Sequence, residues 1–218
     1  MPEHPIRDGA AVFDALDTVR ILPLLVLDDA EPASATASAL LAGGIRCAEI
    51  ALRTEAAIPA IAAASRVPGF LVGAGTVLTP DQVDATVAAG ARFIVSPGLD
   101  ERVVVRARDL GVAVLPGVVT ATEVQRALTL GLDRLKFFPA EASGGLAAIT
   151  ALAGPFPTVR FLPSGGVTEA NAPDYLRSAA VFAVSGSWMA SRDAIAARDL
   201  SAIEGAARRS AALARDPR

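Results

Sequence analysis

Eight short apolar runs recur along the chain at intervals of 20 to 26 residues, and helix-like stretches separate them. Each run is almost continuously apolar, as is typical of parallel strands that are covered by helices on both faces. The runs span residues 21–27, 47–52, 70–76, 92–98, 112–118, 134–139, 159–166 and 181–187. This pattern predicts a strand–helix unit that repeats eight times.

The intervals between the runs carry helical periodicity together with helix start and stop signals. Helices are predicted over 55–67, 79–90 and 120–131. Pro59 marks either the start of the first helix or a kink in it. Thr79 is the predicted N-cap of the second helix, and Gly131 ends the third. The segment before residue 20 predicts an extra amphipathic helix, and about the last 25 residues predict a closing helix.

Eight strand–helix units in 218 residues favour an α/β fold of the (β/α)8 TIM-barrel type. We expect a single barrel domain over residues 1–218, with an N-terminal tail and extra helix over about 1–19. A doubly wound open sheet is the alternative, but it usually has fewer strands and a glycine-rich fingerprint after the first strand. The residues after the first run contain no such fingerprint, and no linker or low-complexity tract divides the chain.

The composition narrows the class of protein further. The chain is 52% hydrophobic with a formal net charge of −3. These values exclude a disordered chain and argue against general binding to nucleic acids or to acidic membranes. No apolar run reaches the length of about 18 residues that a membrane helix needs. The first residues lack the apolar core of a signal peptide, so we expect a cytoplasmic protein.

The scarce residue types restrict the chemistry. His4 and Cys47 are the single histidine and the single cysteine of the sequence. We therefore expect no internal disulfide, no metal site and no Ser-His-Asp triad. Of the 20 basic residues, 19 are arginine and one is Lys136, which lies among apolar residues. A coding bias explains the ratio of arginine to lysine, but it does not explain the position of Lys136 among apolar residues. Arginine cannot replace lysine in a Schiff base because it stays protonated, so Lys136 is a candidate nucleophile.

Polar and glycine residues at the carboxyl ends of the predicted strands are the candidate site, because functional groups of such barrels gather there. They are Glu49, Arg53, Thr76, Ser96, Pro97, Lys136, Phe138, Glu141, Ser164, Gly165, Gly166, Ser185, Gly186 and Ser187. Taken alone, each has a plain structural explanation, such as an ion pair, a turn or a helix cap. The two glycine-rich loops follow the seventh and eighth runs, which is the usual phosphate-binding position. Their convergence with an amine, a carboxylate and a guanidinium favours an active site.

Several of these segments resemble the family of 2-keto-3-deoxy-6-phosphogluconate (KDPG) and 4-hydroxy-2-oxoglutarate (KHG) aldolases. The similar segments are 48–58, 72–78, 94–99, 115–124, 135–145 and 161–167. The similarity runs in order from about residue 10 to residue 210, without large insertions. Its most specific parts are Lys-Phe-Phe-Pro-Ala-Glu at 136–141 and Glu-x-x-x-Arg at 49–53.

The resemblance implies a class I aldolase that uses neither a metal nor a cofactor and that is usually a homotrimer. Such an enzyme cleaves 2-dehydro-3-deoxy-6-phosphogluconate, a small phosphorylated keto acid of the Entner–Doudoroff pathway, to pyruvate and glyceraldehyde 3-phosphate. The family is often described together with cleavage of 4-hydroxy-2-oxoglutarate to pyruvate and glyoxylate. No nucleic acid or membrane partner is implied.

The resemblance also implies a role for each matching residue. Lys136 corresponds to the Schiff-base lysine, and Glu49 corresponds to the residue that transfers protons. The implied substrate-binding residues are Arg53, Thr76, Pro97, Phe138, Ser164, Gly165, Gly166, Gly186 and Ser187. The pyruvate carboxylate would be held by Arg53 and Thr76, and the pocket would be lined by Pro97 and Phe138. The substrate would contact Ser164 near the iminium, and its phosphate would bind to Gly165, Gly166, Gly186 and Ser187.

The sequence departs from the family pattern at three positions. Ala51 stands where members have threonine, Ser143 where asparagine is common, and Ser164 where threonine is common. The last two changes keep a polar side chain. Ala51 removes a possible hydrogen bond beside Glu49.

Three other functions remain open from the residues alone. The first is the same chemistry on the galactonate epimer or on another pyruvate-derived keto acid. The second is a sugar-phosphate-binding barrel that is an isomerase or a sensor, with Lys136 as an ion-pair partner. The third is a divalent-metal pyruvate aldolase, which the lack of a clear set of Asp and Glu ligands at the strand ends disfavours.

Overall fold

The computed structural model describes residues 9–215, with side chains from residue 12 onward. The predicted tail with His4 therefore lies outside the described residues. The strands are β1 Ile21–Leu25, β2 Cys47–Ala51, β3 Leu71–Gly75, β4 Phe93–Val95, β5 Ala113–Leu115, β6 Gly117–Val118, β7 Arg134–Phe137, β8 Arg160–Pro163 and β9 Val184–Gly186. The helices are α1 Gly9–Val19, α2 Ala33–Ala42, α3 Ala57–Ala64, α4 Pro80–Ala88, α5 Glu101–Asp109, α6 Ala121–Thr129, α7 Gly145–Ala153, α8 Ala172–Arg177, α9 Arg192–Ala196 and α10 Leu200–Arg215, with a short 3-10 helix over Glu141–Ser143.

All strand pairs are parallel and form a sheet that curls into a barrel. Six strands pair in the order β5-β4-β3-β2-β1-β9, and three pair in the order β6-β7-β8. The bridges Phe161–Val181 and Ser164–Ser185 join β8 to the β9 side, and β6 follows β5 after one residue. Each of the eight predicted runs contributes one position of this ring, which confirms the (β/α)8 barrel with an extra N-terminal helix.

The fifth predicted run, 112–118, was expected to be one strand and is instead two. Pro116 separates β5 from β6. Proline has no backbone N–H to donate to the ladder, so the regular pairing is interrupted there. Its carbonyl still accepts a hydrogen bond of 2.9 Å from the Lys136 backbone N–H. This hydrogen bond ties β7, which carries Lys136, to the segment between β5 and β6.

The lower part of the barrel interior, near the amino ends of the strands, is an apolar core that α1 covers. Val12 and Leu16 of α1 join a buried cluster with Leu22, Phe93 and other interior side chains. At Gly73 a Cβ atom would lie 2.2 Å from the Phe93 ring, so glycine there leaves the space that the ring fills. With the lower interior filled by apolar side chains, polar side chains that face inward lie nearer the carboxyl ends of the strands.

The predicted helix signals have their expected effects. Thr79 caps α4 by accepting a 3.3 Å hydrogen bond from the Gln82 N–H. Gly131, the second residue after α6, adopts a φ of +70°, and the Leu132 N–H bonds to the Ala127 carbonyl and closes the last turn. Pro59 is the third residue of α3, so it marks the start of that helix and not a kink. Among the described residues, no helix is both long and apolar enough to cross a bilayer.

Candidate active site

Lys136 and Glu49 meet inside the barrel, near the carboxyl ends of the strands. Glu49 lies on β2 and Lys136 on β7, on opposite sides of the ring. Lys136 Nζ lies 3.4 Å from Glu49 Oε1. Glu49 is fully buried, and Lys136 is 5% exposed. Since 87 residues separate the two in the sequence, the closure of the barrel brings them together.

Burial makes this pair energetically significant. An isolated charge in a protein interior is costly, so an amine and a carboxylate that are both buried stabilise each other. The Phe138 ring adds to the environment of the amine, because its centroid lies 5.3 Å from Lys136 Nζ. The result is an amine that is shielded from water and has a carboxylate beside it.

The two oxygens of Glu49 have different surroundings. Oε1 faces Lys136 Nζ and also accepts a 3.2 Å hydrogen bond from the Ser185 hydroxyl. Oε2 is buried and has no hydrogen-bond partner among the described residues. It lies against β3, where a Cβ atom on Gly75 would be only 2.9 Å away. One carboxylate oxygen is thus held by two donors, while the other remains free to accept a proton.

Arg53 and Thr76 lie together at the ends of β2 and β3. Arg53 Nε donates a 3.4 Å hydrogen bond to Thr76 Oγ1. Thr76 has a φ of +58°, which is unusual for a β-branched residue and indicates local strain at the strand end. A structural ion pair between Glu49 and Arg53 would be the plain explanation for two such residues close in sequence, but the Glu49 carboxylate pairs with Lys136 instead. The guanidinium is exposed and remains accessible to an anion.

Pro97 and Phe138 follow β4 and β7, and the ring position of β5 and β6 lies between these two strands. Pro97 follows β4, and a Cβ atom on Gly117 would lie 2.0 Å from its carbonyl oxygen, so the two segments are in close contact. Ser96 donates its hydroxyl to the Gly98 carbonyl at 2.8 Å and so stabilises the turn after β4. Phe138 lies between Lys136 and the loop after β8, because its ring is 3.2 Å from the position of a Cβ on Gly165.

The loops after β8 and β9 lie side by side, as expected. The Ser164–Ser185 bridge joins the strand ends from which they start. Gly165 and Gly166 have φ values of +92° and +84°, a backbone that side chains rarely allow. Ser164 and Gly186 are buried, whereas Ser187 is exposed.

The loop after β8 has supports that the sequence analysis did not identify. The Asn171 side-chain amide donates to the Gly166 carbonyl at 3.1 Å, and its oxygen accepts from the Thr168 N–H at 2.8 Å. A Cβ atom on Gly166 would lie 2.5 Å from Glu141, so the Glu141 stem packs against this glycine. The spacing Thr-x-x-Asn at 168–171 is a common local turn signal and could have indicated the contact between Asn171 and the Thr168 N–H.

Glu141 is engaged elsewhere and not with Lys136. The Tyr175 hydroxyl of α8 donates a hydrogen bond to Glu141 Oε1. Burial raises the pKa of Tyr175, and its hydrogen bond to the Glu141 carboxylate raises it further. Tyr175 therefore remains a donor at neutral pH and keeps Glu141 turned toward α8.

Cys47 and the acidic residues offer no alternative chemistry in the described part of the chain. Burial raises the pKa of Cys47 to about 12, so the thiol is not a nucleophile at neutral pH. No three His, Cys, Asp or Glu side chains among the described residues form a group that could hold a metal ion. The buried contact between Lys136 and Glu49 is therefore the feature of this site on which a functional proposal can be based.

Comparison with known proteins gives consistent matches over most of the chain. A family model described as "KDPG and KHG aldolase" matches residues 12–206. The "KHG/KDPG aldolase" of Escherichia coli is 45% identical over 194 residues, which cover 88% of this chain and 91% of that protein. The crystal structure of 2-keto-3-deoxy-6-phosphogluconate aldolase from Zymomonas mobilis has a TM-score of 0.87 and 41% identity, and the match covers 94% of this chain and 97% of the other. A KDPG aldolase structure from Legionella pneumophila, with pyruvate captured as a covalent carbinolamine, has a TM-score of 0.86 and 37% identity, and the match covers 90% and 96% of the two chains.

Proposed function

The chain belongs to the KDPG and KHG aldolase family, and from this premise we propose that Lys136 is the Schiff-base nucleophile of a class I aldolase. The enzyme is a carbon–carbon lyase that cleaves 2-dehydro-3-deoxy-6-phosphogluconate to pyruvate and glyceraldehyde 3-phosphate. It also cleaves 4-hydroxy-2-oxoglutarate to pyruvate and glyoxylate. The observation that carries the proposal is the buried contact of 3.4 Å between Lys136 Nζ and Glu49 Oε1.

The reaction needs a place for the electron pair that is released when the C3–C4 bond breaks. Neutral Lys136 Nζ attacks the C2 ketone to give a carbinolamine, which loses water to give an iminium. Glu49 carries the protons for these steps. It then accepts the proton of the C4 hydroxyl as the C3–C4 bond breaks, and the electron pair moves into the iminium to form an enamine. The aldehyde departs first, C3 is protonated, and water releases pyruvate and Lys136.

The residues around Lys136 suit the pyruvate part of the substrate. Arg53 and Thr76 present a guanidinium and a hydroxyl that would bind the carboxylate. Pro97 and Phe138 would line the pocket around the methylene group, and the buried Ser164 would contact the substrate near the iminium.

The two loops after β8 and β9 suit the phosphate. Backbone N–H groups at Gly165, Gly166 and Gly186 are not covered by side chains of their own, and the exposed Ser187 hydroxyl adds a donor. An anion that lies against these donors would fix the far end of the six-carbon substrate. The shorter 4-hydroxy-2-oxoglutarate has no phosphate and would not depend on them.

We expect Ser187→Asp to raise KM for the phosphorylated substrate by about 10-fold or more, because a carboxylate beside a dianion replaces a donor with a repulsive charge. Cleavage of 4-hydroxy-2-oxoglutarate should change much less. Steady-state kinetics on both substrates measures this, and Ser187→Asn is the matched control without the charge. Equal losses on both substrates would show that the loop serves folding and not phosphate binding.

Gly166→Asp is a poorer test of the same site. Gly166 has a φ of +84°, and a Cβ atom there would lie 2.5 Å from Glu141. The substitution would strain the backbone in addition to adding charge. Ser187 is exposed, so its replacement leaves the fold undisturbed.

Covalent trapping tests the proposed function directly. We expect borohydride reduction in the presence of pyruvate to add one pyruvate-derived group to Lys136, detected by intact mass and by peptide mapping. Lys136 is the single lysine of the sequence, so the N-terminal amine is the one competing amine. A sugar-phosphate sensor or an isomerase would gain no covalent mass. Labelling of the N-terminus alone would contradict the proposal.

The remaining parts of the proposal concern organisation and location. We propose a single barrel domain over residues 1–218 that assembles as a homotrimer, as the family resemblance implies. A cytoplasmic location agrees with a phosphorylated substrate, because a dianion does not cross a bilayer unaided.

A further inference from the structure

We propose that Ser185 is a positioning residue, whose hydroxyl holds Glu49 in the orientation that proton transfer requires. This inference rests on the proposed function. Ser185 Oγ donates to Glu49 Oε1 at 3.2 Å, and both residues are fully buried. They are 136 residues apart in the sequence and lie on β9 and β2, with β1 between these two strands.

The backbone of Ser185 is held from both sides. It lies in register with Leu22 of β1, and it forms the bridge to Ser164 at the end of β8. These contacts lie at the seam where the barrel closes. A short side chain on such a backbone has few conformations, so it can hold a longer and more flexible one in place.

Two other neighbours of the Glu49 carboxylate have no side-chain group that could donate a hydrogen bond to it. Gly75, beside Oε2, has no side chain, and Ala51 on the same strand carries a methyl group. The donors to Oε1 are therefore Lys136 Nζ and Ser185 Oγ. Oε2 has no partner among the described residues.

Lys136 changes during the reaction, whereas Ser185 does not. The free ammonium has three N–H donors, but the iminium has one, and its nitrogen lies in the plane of the new double bond. The contact of Lys136 with Glu49 therefore varies from step to step. Ser185 keeps the same hydroxyl throughout the cycle, so it holds Glu49 in position while the bond to Lys136 forms and breaks.

The test uses two pairs of variants that separate the hydroxyl from the volume of the side chain. Ser185→Ala is compared with the parent and lacks the hydroxyl. Ser185→Val is compared with Ser185→Thr, because valine has the shape of threonine with a methyl group in place of the hydroxyl. We expect the Ala and Val variants to lower kcat by about 10- to 100-fold, the range for a lost hydrogen bond to a charged group, with little change in KM. Ser185→Thr should stay within a few-fold of the parent.

Two further measurements distinguish positioning from folding. Exchange of the pyruvate methyl protons with D2O, followed by NMR, should also fall in the Ala and Val variants, because it passes through the iminium, whose formation uses protons that Glu49 carries. In a Glu49→Gln background, Ser185→Ala should have little additional effect on kcat, whereas a purely structural role would give additive losses. The melting temperature of each variant serves as the folding control.

The outcomes separate this inference from the proposed function. If borohydride traps pyruvate on Lys136 and Ser185→Ala retains full kcat, the positioning role is wrong while the aldolase mechanism stands. If Thr and Val variants are equally impaired and Ala is not, volume and not the hydroxyl matters, and the inference is again overturned. If the unsubstituted protein is not trapped at all, the proposed function itself fails. If the Thr and Val variants do not fold, Ser185→Ala alone and Ser185→Ala combined with Glu49→Gln still show whether Ser185 positions Glu49.

Discussion

Lys136→Arg is expected to lower kcat/KM for the phosphorylated substrate by several orders of magnitude while the protein remains folded. Arginine keeps a positive charge beside Glu49, but its guanidinium stays protonated and cannot attack a ketone. Without an iminium, the electron pair of the C3–C4 bond has nowhere to go. Release of pyruvate, followed with a coupled dehydrogenase assay, measures the loss.

Two controls make this result interpretable. Borohydride and pyruvate should leave no label on the Arg variant apart from any at the N-terminus. Lys136→Met has a similar length without charge, and it leaves the buried Glu49 carboxylate without its cation, so we expect a lower melting temperature than for Lys136→Arg. Retention of activity within about tenfold by the Arg variant would show that Lys136 is an ion-pair partner and not a nucleophile.

Glu49→Gln should reduce kcat by about 10²- to 10⁴-fold, the usual contribution of general acid–base assistance. The amide keeps the shape of the side chain and can still accept the Ser185 hydroxyl, but it cannot accept a proton. Slow borohydride trapping of pyruvate should persist, because Lys136 remains. Kinetics, trapping rate and melting temperature are measured on the same preparation.

Near-parental activity of Glu49→Gln would reduce Glu49 to a structural partner of Lys136. Glu141 is a poor substitute as proton carrier, because Tyr175 donates to it and its stem packs on Gly166. A bound water would then be the remaining candidate. Comparing the rates in H2O and D2O would show whether a solvent proton moves in the slow step.

The sequence by itself determined the fold class and identified the candidate for the reactive group. Eight apolar runs at regular intervals predict buried parallel strands, and cap residues such as Thr79 and Gly131 mark helix ends through contacts a few residues long. These signals are local, so no tertiary information is needed to interpret them. Lys136 was identifiable for a different reason, since it is the single lysine and lies in an apolar run.

The sequence pattern gave a wrong prediction for one strand and left the role of one proline undecided. The fifth run was expected to be continuous, although Pro116 within it carries the signal for the break. For Pro59 the sequence allowed a helix start or a kink. The structure resolves it because α3 begins two residues earlier, at Ala57.

The tertiary structure alone decided which side chains meet. Glu49 could have paired with Arg53, just beyond the end of its own strand, but it pairs with Lys136 across the barrel and accepts the Ser185 hydroxyl from β9. Arg53 instead contacts Thr76, whose strained backbone no residue pattern indicated. Such contacts join residues that are tens of residues apart, and their distances depend on the closure and register of the whole ring. Sequence periodicity predicts which face of a strand a side chain occupies, whereas barrel geometry determines what lies opposite it.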